Sequence, residues 1–217
     1  MKDDLEAIDC FRGRRGVLMD LDGTLYSNSS YVEEVDRITG MLVLDHYDTR
    51  DPHQAFSRLE ADQRAHGFGS KTDALDRLFG ISLHDQNRWR ERWTRPSDFL
   101  EPDARITETL VQLAGEFTLL LGTNNAPALT RSVLAALEIP EDLFVLVLTS
   151  EDLGAAKPDR RFFLGVARES GIEPEGLVSV GDRQRSDLDP AARLGMGTYL
   201  VQTPEDVYRL ENVRAGT

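Results

Sequence analysis

The stretch from Gly16 to Leu25 reads GVLMDLDGTL, and it decides how the rest of the chain is interpreted. Its first part is short and apolar, as in a strand that is covered on both faces of a parallel sheet. The strand ends in two aspartates, Asp20 and Asp22, and Gly23 allows the chain to turn sharply after them. Because side chains alternate along extended backbone, the two carboxylates project in similar directions. Such a pair requires a cation between the carboxylates or a proton on one of them, although an aspartate in a turn can also cap the next helix.

Four further apolar runs follow the same pattern and predict a five-stranded sheet. The predicted strands are Gly16–Leu21, Phe117–Leu121, Leu143–Leu148, Leu177–Val180 and Thr198–Val201. Apolar residues at spacings of three and four predict helices at Ala104–Ala114, Ala126–Glu138, Arg160–Gly171 and Asp187–Gly195. Strands that alternate with helices are typical of an α/β protein with a doubly wound, Rossmann-like parallel sheet.

The chain between the first and second predicted strands follows a different pattern, because it has helical periodicity and no convincing strand. The predicted helices are Val32–Tyr47, Pro52–His66, Lys71–Phe79 and Leu83–Trp93. Pro96 and Pro102 mark the return to the sheet. We therefore predict a core domain of residues 1–26 and 97–217, with a helical subdomain of residues 27–96 inserted after the first strand.

The charge of the chain restricts its partners. The chain has 25 Lys and Arg residues and 38 Asp and Glu residues, which gives a formal net charge of -13. A chain this acidic lacks the basic face needed to bind nucleic acid or anionic lipid without sequence preference. The single cysteine, Cys10, excludes an intrachain disulfide framework. The beginning, MKDDLEAIDC, has no apolar run like that of a signal peptide, so we expect a cytoplasmic protein without membrane or nucleic-acid partners.

A second pair of acidic residues follows the fourth predicted strand. Asp182 comes directly after Gly181, and Asp187 lies five residues further on. Because the carboxyl ends of parallel strands meet at one edge of a sheet, this pair is expected close to Asp20. Asp187 is also a suitable N-cap for the next helix. Together with the first pair, these carboxylates suit a cation that prefers oxygen ligands, such as Mg²⁺.

Two polar segments follow the second and third predicted strands. Thr123, Asn124 and Asn125 offer a hydroxyl and amides that can hold phosphate oxygens at a helix N-terminus, or can simply cap that helix. Lys157 precedes Pro158, which restricts the local backbone. Its ammonium group is either a solvated surface charge or a phosphate ligand that also offsets the repulsion among the aspartates.

Read in order, the four segments DLDGT, LLLGTN, AAKPD and GDRQRSD resemble the motifs of the haloacid dehalogenase (HAD) superfamily. The resemblance covers the chain from about Arg15 to Val201. It implies a Mg²⁺-dependent phosphatase that hydrolyses a small phosphomonoester through an aspartyl-phosphate. Asp20 would be the nucleophile and Asp22 the general acid and base.

The resemblance also implies roles for the remaining site residues. The metal would be held by Asp20, Asp182 and the backbone carbonyl of Asp22, with Asp187 supporting the site. Thr123 and Lys157 would hold the phosphoryl oxygens as catalytic and substrate-binding residues, and we group Asn124 with them as a substrate ligand.

Within the superfamily, the helical insert corresponds to a cap of the type called C1, which closes over the site. The chain looks most similar to the pyrimidine 5'-nucleotidase-like branch, partly through the stretch HGFGSKTDALDRLFG, so a nucleoside monophosphate is one expected substrate. Phosphoglycolate and sugar-phosphate phosphatases share the same core motifs, as do phosphoryl-transfer mutases. The intact acidic residues argue against a non-enzymatic scaffold. Candidate residues for contact with the leaving group are Tyr26, Asn28, His66, Trp93 and Arg95.

Overall fold

The computed structural model of the chain describes residues 9–68 and 70–215. The acidic start of the chain before Asp9, and Gly69 in the glycine-containing segment of the insert, lie outside the described residues. Contacts divide the chain into two compact units, one formed by Met1–Ser27 with Leu100–Thr217 and the other by Asn28–Phe99. Among the described helices, none combines the length and the apolar character needed to span a membrane.

The first unit is built on five parallel strands that lie next to one another in the order β3-β2-β1-β4-β5. The strands are β1 (Gly16–Met19), β2 (Thr118–Thr123), β3 (Leu146–Thr149), β4 (Leu177–Gly181) and β5 (Gly197–Leu200). The chain passes outwards from β1 to β3 and then crosses back to β4 and β5. Because crossovers between parallel strands are right-handed, the two directions place connecting helices on opposite faces of the sheet. The prediction of a doubly wound α/β sheet is therefore confirmed.

Helices and tight helical turns connect the strands of this unit. The α-helices are α5 (Ala104–Glu116), α6 (Pro127–Ala136), α7 (Ser150–Leu153), α8 (Arg160–Ser170) and α9 (Asp189–Ala192). The tighter 3₁₀ turns are Glu141–Leu143, Pro174–Gly176 and Pro204–Asn212, and Gln184–Leu188 forms a π-helical turn. Apolar side chains of the central strands and of α8 form the core, among them Leu18, Leu120, Phe162, Phe163 and Leu177.

Several predicted elements differ from those observed. The helix predicted over Val32–Tyr47 ends at Leu42, and a separate 3₁₀ turn follows at Leu44–His46. The strand predicted from Leu143 begins only at Leu146, because the residues before it form a 3₁₀ turn in which Phe144 N–H donates to the Glu141 carbonyl. The single helix predicted over Asp187–Gly195 is replaced by the π-helical turn followed by the short α9. Hydrogen bonds over five residues carry no periodic apolar signal, so a sequence pattern does not reveal them.

The second unit is helical, and its described residues contain no strand. Its elements are α1 (Ser29–Leu42), α2 (Pro52–His66), α3 (Lys71–Phe79), α4 (Leu83–Trp93) and two 3₁₀ turns, Leu44–His46 and Pro96–Asp98. The side chains of Asn28, Asp51, Ser70 and Ser82 accept backbone N–H groups at the starts of these helices. Such caps satisfy donors that have no partner within the helix. A small apolar core is formed by Val43, Ala55, Leu59, Ala74 and Leu75.

Candidate active site

The ends of β1, β2 and β4 bring the predicted site residues together at one edge of the sheet. β1 pairs with β2 on one side and with β4 on the other, so Met19 lies opposite both Leu121 and Val180. Asp20 follows β1, Thr123 ends β2, and Asp182 follows Gly181 at the end of β4. The strand order changes direction between β1 and β4, which is where doubly wound sheets bind their ligands.

Asp20 and Lys157 form a buried ion pair at this edge. Lys157 Nζ donates to Asp20 Oδ1 at 2.5 Å and to Asp187 Oδ1 at 2.6 Å. The Lys157 side chain is only 6% exposed, so its interpretation as a solvated surface charge is wrong. The Thr24 hydroxyl donates to the other Asp20 oxygen at 3.0 Å. Lys157 thus links carboxylates that follow two different strands.

Burial and charge together set the protonation of this pair. Burial is the main cause that raises the pKa of Asp20 to about 6; Lys157 opposes this rise, and nearby Asp187 and Asp22 add to it. At neutral pH Asp20 is therefore still largely ionised. Burial alone would lower the pKa of Lys157, but the Asp20 and Asp187 carboxylates raise it above its usual range. The two charges are tolerated in this buried position because each lies next to an opposite one.

A third carboxylate, that of Asp182, completes an acidic cluster. One oxygen from each of Asp20, Asp182 and Asp187 lies within 4.8 Å of the others. Within the part of the chain that the structure describes, Asp182 Oδ1 is buried and has no hydrogen-bond partner. Burial raises the pKa of Asp182, since the charged form is poorly solvated there. Three carboxylates exceed the single charge of Lys157, so the cluster fits a cation with oxygen ligands.

The backbone beside the cluster is shaped to admit the Asp182 carboxylate. Gly23 has a φ of +86°, which an L-residue rarely adopts. A Cβ atom at this position would lie 2.4 Å from Asp182 Oδ2. Only glycine therefore satisfies both the turn after β1 and the close approach of the carboxylate.

Asp187 is held differently from the prediction that it caps a helix. It lies inside the π-helical turn, where Asp187 Oδ2 accepts the Arg183 N–H at 3.1 Å and the Ser186 hydroxyl at 3.2 Å. Ser179 in β4 donates its hydroxyl to the Asp187 carbonyl at 2.9 Å. These bonds direct Asp187 Oδ1 towards the Lys157 ammonium group.

Asp22 does not belong to the acidic cluster, and neutral donors surround its side chain. The Asn125 amide donates to Asp22 Oδ2 at 2.7 Å, and the Tyr26 hydroxyl donates to Oδ1. Thr123 Oγ1 lies 3.5 Å from Oδ2 and accepts the Asn125 N–H at 3.1 Å. The metal ligand predicted at Asp22 is its backbone carbonyl, so these bonds to its carboxylate leave that assignment a prediction. Neither Asp22 nor Asn125 caps a helix, because Asn28 and Ala126 occupy the N-cap positions that follow them.

The structure gives the Asn124 side chain a different partner from the phosphate group predicted for it. Asn124 Oδ1 accepts the Lys157 N–H at 2.8 Å, and Asn124 Nδ2 donates to the Lys157 carbonyl at 3.0 Å. Its role as a substrate ligand stays a prediction. The sequence pattern alone does not identify Asn125 and Tyr26 as partners of Asp22. The sequence signal was the run of two asparagines after Thr123, which does not tell which of them faces Asp22.

The remaining candidate residues lie in the helical unit. Asn28 accepts the Tyr31 N–H and donates to the Phe99 carbonyl at 2.7 Å, so it joins the two ends of this unit. His66 is exposed at the end of α2 and stacks on the Phe68 ring with centroids 5.4 Å apart.

Trp93 and Arg95 lie at the other end of the same unit. Trp93 is 42% exposed, and the Arg92 guanidinium lies 5.2 Å from the centroid of its ring. Arg95 donates to the carbonyls of Arg92 and Thr94, both at 3.0 Å. Contact between these residues and a substrate stays a prediction.

Comparison with known proteins identifies the family. Residues 15–195 match the family described as haloacid dehalogenase-like hydrolase. This match spans most of the chain, which therefore belongs to that family and is an enzyme of the hydrolase class. The expectation drawn from the four motifs is confirmed at the level of the superfamily.

Two curated relatives and one solved structure show how far the similarity extends. The glyceraldehyde 3-phosphate phosphatases of Methanopyrus kandleri and Methanocaldococcus jannaschii are each 28% identical to the chain. The matches cover 87% and 86% of the chain and 84% of each relative. The structure of the HAD-hydrolase YfnB from Bacillus subtilis, solved bound to magnesium, matches with a TM-score of 0.60 at 18% identity. This match covers 92% of the present chain and 99% of the YfnB chain. The structural likeness supports the fold alone.

Proposed function

We propose that the protein is a Mg²⁺-dependent phosphatase that hydrolyses a small soluble phosphomonoester. The observation that carries this proposal is the separation of two aspartates after one strand. Asp20 lies in the acidic cluster and pairs with Lys157 at 2.5 Å, whereas the hydrogen bonds described for the Asp22 carboxylate come from neutral donors. These two environments support a nucleophilic role for Asp20 and a proton-transfer role for Asp22.

The reaction follows from these two environments. An Asp20 oxygen attacks phosphorus, and the bond to the leaving alcohol breaks as Asp22 gives that alcohol a proton. A water molecule then loses a proton to Asp22 and attacks the aspartyl-phosphate, which releases inorganic phosphate and restores both carboxyl groups. Tyr26 and Asn125 keep the Asp22 carboxylate oriented during both steps. Two displacements with lower barriers replace one difficult displacement.

Two further groups would bind the phosphoryl oxygens. The Lys157 ammonium lies next to the nucleophile and offsets the repulsion between a carboxylate and a phosphate dianion. The Thr123 hydroxyl is buried at the end of β2, beside Asp22. Both groups are fixed before substrate arrives, so their reorganisation costs little during the reaction.

The acidic cluster would hold the metal. Asp20, Asp182 and Asp187 supply carboxylate oxygens, and the backbone carbonyl of Asp22 is a further proposed ligand. Oxygen donors without histidine or cysteine suit Mg²⁺ better than Zn²⁺. When bound, Mg²⁺ would neutralise charge on the transferring phosphoryl group.

The helical unit would act as a cap that selects the substrate. The residues at the strand ends recognise the phosphoryl group, which every phosphomonoester shares. Discrimination between leaving groups must then come from another segment, and the unit Asn28–Phe99 is inserted directly after Asp20 and Asp22. The two relatives named glyceraldehyde 3-phosphate phosphatase favour a small sugar phosphate as substrate. A nucleoside monophosphate, predicted from the nucleotidase-like motifs, is the main alternative.

A phosphate-release screen tests this proposal. The purified protein is incubated with glyceraldehyde 3-phosphate, phosphoglycolate, other sugar phosphates and nucleoside monophosphates, with Mg²⁺ or with EDTA. We expect release that requires Mg²⁺ and no sugar-bisphosphate activator, which separates a phosphatase from a mutase. Asp20→Asn should be inactive, and Asp142→Asn, the same change at an exposed site, should match the wild type. Turnover that persists in EDTA or in Asp20→Asn would contradict the proposal.

A further inference from the structure

The Asn124 side chain is committed to the backbone of a single residue. Asn124 follows directly after β2, and both polar atoms of its carboxamide bond to Lys157. The Lys157 N–H donates to Asn124 Oδ1 at 2.8 Å, and Asn124 Nδ2 donates to the Lys157 carbonyl at 3.0 Å. Two bonds from a planar amide fix both the distance and the orientation of the backbone at Lys157.

The backbone of Asn124 is itself fixed from the next strand. Ser150, which is fully buried at the start of α7, donates its hydroxyl to the Asn124 carbonyl at 3.1 Å. Ser150 follows β3, which pairs with β2 so that Thr149 lies opposite Thr123. The carboxamide therefore extends from a rigid part of the sheet to the loop that carries Lys157.

The other end of Lys157 lies at the centre of the proposed site. Its ammonium group contacts Asp20 and Asp187 within 2.6 Å. A flexible side chain reaches one point reproducibly only if its backbone is held, and no described hydrogen bond of the Asn124 side chain goes elsewhere. Displacements of about 1 Å at a catalytic group can cost ~10²-fold in rate.

We propose that Asn124 is a positioning residue that places the Lys157 ammonium on Asp20, and that it does not bind substrate. This inference rests on the proposed phosphatase function. It replaces the sequence-based assignment of Asn124 as a phosphate ligand. The Ser150 hydroxyl supports the same arrangement by holding Asn124.

A double-mutant cycle on p-nitrophenyl phosphate tests the inference, since this activated ester leaves measurable turnover in weak variants. We expect Asn124→Ala to lower kcat by ~10- to 100-fold in the wild-type background. In the background of Lys157→Met the same substitution should change kcat less than twofold, because no ammonium group remains to be positioned. A loss of stability alone, or a lost substrate contact, would instead lower activity by the same factor in both backgrounds.

Two controls keep the outcomes distinct. Asn124→Asp keeps an acceptor for the Lys157 N–H but removes the donor, and an intermediate loss is expected; if Asn124→Ala does not fold, this variant is used in the cycle. Independent effects of the Asn124 and Lys157 substitutions would overturn the positioning role while the wild type still releases phosphate. A wild type that releases no phosphate from any ester would instead overturn the proposed function on which the inference rests.

Discussion

Substitution of Gly23 by alanine tests the geometry of the proposed metal site. The new Cβ atom would lie 2.4 Å from Asp182 Oδ2 and 2.7 Å from Asp182 Cγ, far inside van der Waals contact. The clashing atoms belong to a side chain, so the fold can accommodate the methyl group by moving the Asp182 carboxylate. That movement would remove one of the three carboxylates of the acidic cluster.

A matched variant separates this displacement from backbone strain. Gly13 has a φ of +70°, close to the +86° of Gly23, and a Cβ atom there would meet nothing within 4 Å. An L-residue in this region costs ~1–2 kcal/mol, or ~2–8 °C in Tm for a chain of this size. Both Gly13→Ala and Gly23→Ala should show this loss of stability. Only Gly23→Ala should also lose metal affinity.

The size of the expected loss in Mg²⁺ affinity can be taken from the effect of displacing one metal ligand. Substitutions that merely misorient a metal ligand lower affinity by ~10- to 100-fold, or ~1.4–2.8 kcal/mol. We therefore expect the Mg²⁺ concentration for half-maximal phosphatase activity to rise at least ~10-fold in Gly23→Ala. Gly13→Ala should keep the wild-type value in the same titration. Equal Mg²⁺ dependence of the two variants would refute the placement of Asp182 in the metal site.

Three further predictions concern single groups. Asp22→Asn should lower kcat on an alkyl phosphate by ~10²–10⁴-fold. On p-nitrophenyl phosphate it should slow the first step less, because that leaving group needs no proton. Equal losses in the single-turnover rates of the two substrates would contradict the role of Asp22 as an acid. Tyr26→Phe should keep the fold and lower kcat by about tenfold, because the hydroxyl that donates to Asp22 is lost. An unchanged kcat would show that this hydrogen bond is not needed. Burial raises the pKa of the Cys10 thiol to about 11. Its alkylation by iodoacetamide at pH 8, measured by intact mass spectrometry, should therefore be ~100-fold slower than that of an ordinary thiol. The alkylation rate should increase as the pH rises towards this pKa. A rate that stops rising near pH ~9 would contradict this shift.

The sequence predicted those elements whose boundaries are marked by local signals. The observed α2 runs from Pro52 to His66, as predicted, because Asp51 caps its start and Gly67 ends it. The five strands were also identifiable, since buried parallel strands are continuous apolar runs. The π-helical turn that holds Asp187 was not predictable, because its geometry depends on hydrogen bonds to Arg183 and Ser186 instead of on periodicity.

The partners of the site residues depended on the order of the strands. The motifs placed Asp20 and Lys157 near strand ends, but the sheet order leaves β2 between β1 and β3, so the contact of Lys157 with Asp20 also depends on the path of the chain after β3. In the same way, Asn124 and Asn125 are neighbours in sequence whose side chains face Lys157 and Asp22 respectively. A single sequence does not separate these two asparagines, because the direction of each side chain is set by the turn that follows β2.

The proposed reaction requires that Asp20 becomes phosphorylated during turnover. The most direct measurement is to quench the reaction with acid in the pre-steady state, reduce the protein with borohydride and map its peptides by mass spectrometry. An aspartyl-phosphate is reduced to homoserine, so the peptide that contains Asp20 should carry homoserine at that position only when substrate and Mg²⁺ were present. Homoserine at another aspartate, or none at Asp20 while phosphate is released in a burst, would contradict the role of Asp20 as nucleophile.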